Sequence, residues 1–178
     1  RYRDLIRLVN VEGTRNVCEA ALNSSVKKMI HFSSVDAFYR FPIEEPLYED
    51  RKLIDDPNAM PYDLSKADGN RVVLDYCSKG LDASIIHPTS IVGPNDFKIG
   101  ILMHELIKIA NGKRRVIPDF GYNFIDARDL SRTAISAVEH GKAGQNYLVG
   151  GEYCMFLKIS EFISCLLYTS DAADDMAS

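Results

Sequence analysis

The chain has 178 residues, 46% of them hydrophobic and 26% charged, with a formal net charge of −4. That composition suits one soluble globular unit with a real core, and the mildly acidic balance argues against nucleic acid or an anionic membrane as partner. No apolar run approaches the roughly 18 residues of a membrane span and no signal peptide is visible. Cys18, Cys77, Cys154 and Cys165 are scattered, with no C-x-x-C pair and no clustering with histidine. They read as thiols of a reducing compartment, so a cytoplasmic protein without a metal site is expected.

The chain opens at Arg1-Tyr2-Arg3-Asp4-Leu5, inside a helical pattern and without an initiator methionine, as a fragment would. Residues 1 to about 24 carry Leu5, Ile6, Val9, Val17, Ala20, Ala21 and Leu22 at mixed three-and-four spacing, which predicts a helix with one buried face. Gly13 inside it costs about 1 kcal/mol, which predicts close approach of another backbone. Asn23-Ser24-Ser25 ends the helix. Lys28-Met29-Ile30-His31-Phe32-Ser33-Ser34 reads as a short buried strand. Its C-terminal end is where open α/β sheets present ligand groups, although a cap or turn is the bland reading of the two serines. His31 reads as a core residue. An acidic, proline-punctuated loop follows, from Phe41-Pro42 to Asp55-Asp56-Pro57-Asn58.

Ala59-Met60-Pro61-Tyr62-Asp63-Leu64-Ser65-Lys66 opens the next helix, which runs to a stop at Lys79-Gly80. Residues i and i+4 share a helix face, so Tyr62 and Lys66 stand side by side. Bringing a phenol from its usual value near 10 down to neutrality takes about 4 kcal/mol. One positive charge at about 5 Å supplies roughly 3 kcal/mol at an effective dielectric of about 20. The lysine alone falls a little short, and a second positive charge such as an oxidised nicotinamide ring would close the gap. The spacing by itself is unspecific: with nine tyrosines in the chain, roughly half a chance Y-x-x-x-K match is expected.

Leu81-Asp82-Ala83-Ser84-Ile85-Ile86-His87 is the next strand, leaving through Pro88-Thr89-Ser90-Ile91-Val92-Gly93-Pro94, an exit loop of the kind that lines a cofactor site. His87 reads as packed or capping. Phe97 to Asn111 is a helix ended by Gly112, and Lys113-Arg114-Arg115 reads as solvated surface. Asn123 to Leu130 is a short strand turning into a helix that ends at His140-Gly141, and Gln145 to Gly151 is one more strand. Alternation of strand and helix predicts an α/β protein with a doubly wound parallel sheet. From Cys165 to Asp174 the sequence resembles the conceptual translation of a transposase-type sequencing adapter; the alternative is an authentic, poorly ordered end. Disorder is expected over 165–178.

Five stretches, in order, resemble the extended short-chain dehydrogenase/reductases, the NAD-dependent epimerase/dehydratase family. They are Asn10-Val11-Glu12-Gly13-Thr14, His31-Phe32-Ser33-Ser34, Pro61-Tyr62-Asp63-Leu64-Ser65-Lys66, His87 to Pro94, and Phe124-Ile125-Asp126-Ala127-Arg128-Asp129. Gly121-Tyr122-Asn123-Phe124 and Gly144 to Gly151 are most similar to its dihydroflavonol-reductase-like branch, which includes hopanoid-associated sugar epimerases.

The resemblance implies a Rossmann-like sheet truncated at its N-terminal half, with a small C-terminal substrate-binding part. Residues 1–95 would be the end of the nucleotide-binding domain, and 96–164 a mixed segment that completes it and binds substrate. It implies NAD or NADP as cofactor and a small hydroxylated or keto substrate, a nucleotide sugar among the candidates. Tyr62 would be the general acid/base, Lys66 would lower its pKa and bind the nicotinamide ribose, and Ser34 would hold the substrate oxygen. Tyr62, Lys66, Pro88, Thr89 and Ser90 would contact the cofactor. A homodimer would form through the helices at 1–24 and 59–78.

The chain departs from the family pattern in lacking the G-x-x-G-x-x-G phosphate loop and the residue that selects NAD or NADP. Counting back from Tyr39 puts Val35 in the serine position, whereas counting from the strand end puts Ser34 there, with Ser33 second. A non-catalytic dinucleotide sensor is the competing reading. A serine hydrolase built on Ser34 with His31 or Asp36 is remote, because no G-x-S-x-G elbow is present.

Overall fold

The computed structural model describes residues 2–24, 26–113 and 116–175, with 168–175 as backbone only. Ser25, expected to end the first helix, and Arg114 and Arg115 of the basic cluster lie outside these residues. In chain order the elements are α1 (Tyr2–Arg7), a π turn (Leu8–Glu12), α2 (Gly13–Leu22), β1 (Met29–Phe32), a 3-10 turn (Val35–Ala37) and α3 (Pro61–Ser78). There follow β2 (Ala83–Pro88), β3 (Ser90–Val92), α4 (Ile101–Ala110), β4 (Gly121–Asp126), α5 (Ala127–His140), β5 (Asn146–Val149), β6 (Glu152–Met155) and α6 (Phe156–Asp175).

These elements form two compact units, one within Arg1–Thr89 and Arg128–Val149, the other within Ser90–Ala127 and Gly150–Ser178. The division expected at residue 95 differs: the second unit starts at Ser90, and the chain returns to the first after Ala127. It returns because the first sheet takes its third strand, β5, from beyond α5.

In the first unit the sheet order is β1-β2-β5, all parallel. β2 is buried along its whole length, as the middle strand of a covered parallel sheet must be. Val11, Cys18 and Ala21 of the first helical run meet Val72, Val73 and Tyr76 of α3 over Leu81, Ala83 and Ile85. A smaller cluster of Ala37, Ile54 and Ala67 lies where the acidic loop meets α3.

The close approach expected at Gly13 occurs elsewhere. A Cβ on Gly13 would meet only the Leu8 carbonyl oxygen, at 3.9 Å, whereas one on Gly69 of α3 would stand 3.0 Å from the Asn10 oxygen. The π turn widens the helix just ahead of Gly13. The Asn10 carbonyl in that turn accepts from the Thr14 hydroxyl at 2.7 Å and abuts Gly69.

The second unit has its own sheet, order β3-β4-β6, with β3 and β4 parallel and β4 and β6 antiparallel. Ser90–Val92, expected as a loop, is therefore a strand, because the backbone of β4 pairs with it from Ser90↔Phe124 to Val92↔Asp126. Phe120 and Tyr122 pack edge-on against Phe156, with ring centroids 5.3 and 5.9 Å away. The α6 backbone is helical through Asp175, across a stretch expected to be disordered, and its leucines and alanines are strong helix formers. Among the described residues no helix is long and apolar enough to cross a membrane.

Candidate active site

The site is built at the start of α3. Pro61 occupies the first turn, where its missing N–H is not needed and its fixed φ suits a helix. Tyr62 and Lys66 follow one turn apart. The Lys66 Nζ lies 5.7 Å from the centre of the Tyr62 ring and donates to the Phe32 carbonyl, the last of β1, at 3.2 Å. Ser65, buried between them, donates to the Tyr62 carbonyl at 2.7 Å and accepts from Asn10 Nδ2 at 3.0 Å. The first helical run is thus tied to the turn of α3 that carries the tyrosine. Sequence reasoning gave Asn10 and Ser65 no role; their signal was membership of the two motifs that the hydrogen bond joins.

Ser34 reaches the same place from β1. The Ser33 N–H donates to the Ile86 carbonyl at 2.8 Å, extending the parallel ladder. Ser34 then caps the 3-10 turn, its Oγ accepting from the Asp36 N–H at 3.2 Å. The Ser34 hydroxyl donates to Asp36 Oδ2 at 3.3 Å, and it lies near enough to the Tyr62 phenol to favour the ionised form. The serine is thus a cap whose hydroxyl also acts on the tyrosine. Ser33 Oγ is buried without a partner, and Val35 in the turn has no hydroxyl. Of the three candidate positions, the one that acts on Tyr62 is Ser34.

The charges around the phenol oppose its ionisation. Burial pushes the Tyr62 pKa above its ordinary value; the Ser34 hydrogen bond pulls it down, and the Asp36 and Asp63 carboxylates push it up. Burial also pushes Lys66 below the usual lysine range. Arg40 bridges the two carboxylates, at 2.8 Å from Asp36 and 3.1 Å from Asp63. The protein's own groups therefore leave Tyr62 protonated at neutral pH. Lys66 is not among the groups that act on the phenol, contrary to the downward tuning expected of it; desolvation and two negative charges raise the pKa.

Pro88 and Thr89 close β2. The Thr89 N–H donates to the Val149 carbonyl at 3.0 Å, and Thr89 Oγ1 is buried without a partner. Two orphaned hydroxyls, Ser33 and Thr89, thus stand at the C-terminal ends of adjacent parallel strands, where an open α/β sheet takes its ligand. An ammonium has three donors, and the Phe32 carbonyl takes one from Lys66. These groups fit the nicotinamide and ribose end of a dinucleotide.

Two histidines lie near the site. His87 is fully buried, with Nδ1 2.9 Å from the Ser34 carbonyl oxygen and Nε2 3.0 Å from Asn146 Oδ1. His31 is pushed down to about 4, first by burial and then by the charge of Lys66. Among the described residues no group of three or more His, Cys, Asp or Glu is placed to hold a metal ion.

Ser90 belongs to the second unit. There it lines a cavity of about 460 Å³ together with Ile101, Ile109, Phe120, Tyr122 and Phe156. Glu105 is also on its wall.

Residues 2–150 match the model of the NAD dependent epimerase/dehydratase family. The chain is 29% identical over 155 residues to sterol demethylase protein B of Methylococcus capsulatus, covering 87% of this chain and 47% of that protein. Among solved structures, that of gox2253 superposes with a TM-score of 0.84 at 31% identity, covering 91% of this chain and 51% of that one. A dTDP-glucose 4,6-dehydratase from Bacillus anthracis in complex with NAD shares the fold, with a TM-score of 0.78 at 19% identity and 90% and 52% coverage. The chain thus spans about half the length of the proteins it matches. From Asn10 on the first helix to the strand-end serine and the Tyr62–Lys66 pair, the matched region contains the whole arrangement described above, and the chain belongs to the NAD dependent epimerase/dehydratase family.

Proposed function

We propose that this chain carries the proton-transfer part of an NAD(P)-dependent oxidoreductase or epimerase that acts on a hydroxyl or keto group of a small substrate. The observation that supports it most is the convergence of the Ser34 hydroxyl, which acts on the Tyr62 phenol, with the Lys66 ammonium 5.7 Å from the centre of the Tyr62 ring. Tyr62 keeps its proton at neutral pH and gives it to a carbonyl oxygen as that oxygen gains charge. Ser34 donates to the same oxygen and fixes its position. In the opposite direction Tyr62 must accept a proton, and that demands positive charge beyond what the chain supplies. NAD(P), when bound, exchanges the hydride with the substrate carbon. Lys66 has donors left for a ribose hydroxyl, and Pro88 and Thr89 wall the same strand ends.

The cavity within the second unit is walled mainly by aliphatic and aromatic side chains, with Ser90 and Glu105 among them, a lining that takes an apolar ring more readily than a diphosphate. A second copy of the chain is the partner we assign to the exposed Leu5, Leu8 and Val17 of the first helical run, and a strictly monomeric full-length protein in sedimentation equilibrium would remove that assignment. A non-catalytic dinucleotide sensor has no use for a serine hydroxyl set beside a half-exposed tyrosine and a lysine.

The test is Tyr62→Phe in the full-length protein, assayed for substrate-dependent change in NAD(P)H with apolar ring alcohols and ketones and with nucleotide sugars. Turnover should fall by about a hundredfold or more while NAD(P)H fluorescence still reports binding. Undiminished turnover sinks the assignment of Tyr62. Cofactor binding with no turnover of any substrate, in the parent protein, favours the sensor.

A further inference from the structure

A chain of three polar side chains, two of them fully buried, ends on the backbone of Ser34. Asn70 of α3, His87 of β2 and Asn146 of β5 all lie in the first unit, and Asn70 and His87 are 0% exposed. Asn70 and Asn146 are joined at 3.1 Å, Asn146 reaches His87 Nε2 at 3.0 Å, and His87 Nδ1 stands 2.9 Å from the Ser34 carbonyl oxygen. The His87 ring also packs against Phe38, tilted by 47° with 4.5 Å between centroids. Nothing in ordinary packing demands a histidine in the middle strand of a parallel sheet, where aliphatic residues are the rule. A buried polar group there is worthwhile only if its bonds are made.

We infer that His87 is a positioning residue for Ser34. Its Nδ1–H donates to the Ser34 carbonyl and fixes the peptide from which the serine hydroxyl reaches Tyr62. A carbonyl acceptor at Nδ1 requires the ring proton there, so the neutral ring must accept at Nε2. The Asn146 amide provides that donor when its oxygen and nitrogen, which are interchangeable by a half turn, are exchanged. Exchanging Asn70 likewise lets the same NH₂ donate to Asn70 Oδ1 across the 3.1 Å contact. Hydrogen bonds then run in one direction, from Asn146 through the imidazole to Ser34. Burial favours the neutral ring that this order needs. The Ser34 carbonyl also accepts from the Ala37 N–H at 3.1 Å, so the histidine and the 3-10 turn clamp one oxygen from two sides.

The inference rests on the catalytic reading of Ser34, and a double-mutant cycle in the full-length protein separates the two. His87→Leu should lower kcat by on the order of 10- to 100-fold, the scale of a small misplacement of a reacting group, with the KM for NAD(P)H little changed. His87→Asn, whose amide nitrogen can stand where Nδ1 stood, should recover most of that loss. In a Ser34→Ala background, His87→Leu should cost almost nothing further, because the group it positions is gone. An equal fold-loss in both backgrounds overturns the inference while leaving Ser34 catalytic. Full activity of Ser34→Ala overturns the reading of Ser34 itself. Should His87→Leu not fold, nitrogen NMR of the ¹⁵N-histidine-labelled parent decides. The inference requires a neutral His87 protonated at Nδ1 at neutral pH; an Nε2–H tautomer or an imidazolium refutes it.

Discussion

Gly69 and Asn10 touch across the helix pair that supports the site. A Cβ added to Gly69 would stand 3.0 Å from the Asn10 carbonyl oxygen and 3.7 Å from Thr14 Oγ1. The glycine is needed for space, since the oxygen it faces is backbone and can yield only by moving the whole π turn. Asn10 also donates to Ser65, which in turn bonds the Tyr62 carbonyl. Gly69→Val should therefore do two things. It should destabilise the protein by about 1–3 kcal/mol, the usual result of overpacking. It should also lower kcat more than Asn10→Ala does, since it displaces the neighbour as well as stretching the bond. Urea midpoints and initial rates for both variants, in the full-length protein, check this. A Gly69→Val protein as stable and active as its parent would show that the contact is loose.

Part of the candidate site is legible in the sequence, for a physical reason. Tyr62, Lys66 and Ser34 belong to short local patterns, a helix start and a strand end, and local patterns survive in a linear sequence. The strands Met29–Phe32 and Ala83–Pro88 announced themselves as apolar runs that only a covered parallel sheet can bury. What escaped was long-range. The Gly13 expectation failed because a glycine in a helix says that something is close without saying which glycine the neighbour chose. Ser90–Val92 read as a loop because three residues carry no periodicity, and it is a strand only by virtue of β4, more than 30 residues on. The Asn70–Asn146–His87 chain joins residues 17 to 76 positions apart, and no spacing rule reaches that far. The downward tuning of Tyr62 by Lys66 was a pairwise argument, and it neglected the two carboxylates that the fold brings in.

Those carboxylates give a second prediction. Asp36 and Asp63 both raise the Tyr62 pKa, and Arg40 holds them together. Ionising the phenol places a negative charge beside them, so deleting one carboxylate favours the phenolate. Asp63→Asn should move the Tyr62 titration to lower pH, while Asp36, still paired with Arg40, keeps its place. In the oxidative direction, where Tyr62 must accept a proton, the rising, low-pH limb of the kcat/KM profile should shift the same way. The tyrosinate absorbance of the variant, with Tyr62→Phe as the reference, checks the assignment to this residue. A shift to higher pH, or none, would mean that these carboxylates do not act on the phenol.

His31 makes a third prediction, about stability. Burial, then the charge of Lys66 and then His87, lower it from 6.5 to about 4, and its Nε2 is buried without a partner near Gly69. In the unfolded chain the ring takes up a proton near its ordinary value of 6.5; in the folded protein it refuses that proton until about 4. The unfolded state therefore binds more protons throughout this interval, and stability rises with pH across it. The contribution is complete above pH 6.5 and is lost as the pH falls toward 4, about 3 kcal/mol in all for a displacement of this size. His87 is lowered in the same direction, so the comparison must be between parent and variant. His31→Gln should leave stability near pH 8 changed mainly by packing, while the fall in stability between about pH 6.5 and pH 4 becomes shallower. Denaturation midpoints of the two full-length proteins across that range decide the matter. Parallel curves would mean that His31 is as free to take a proton in the folded protein as in the unfolded chain, and that the space beside Gly69 is open to water.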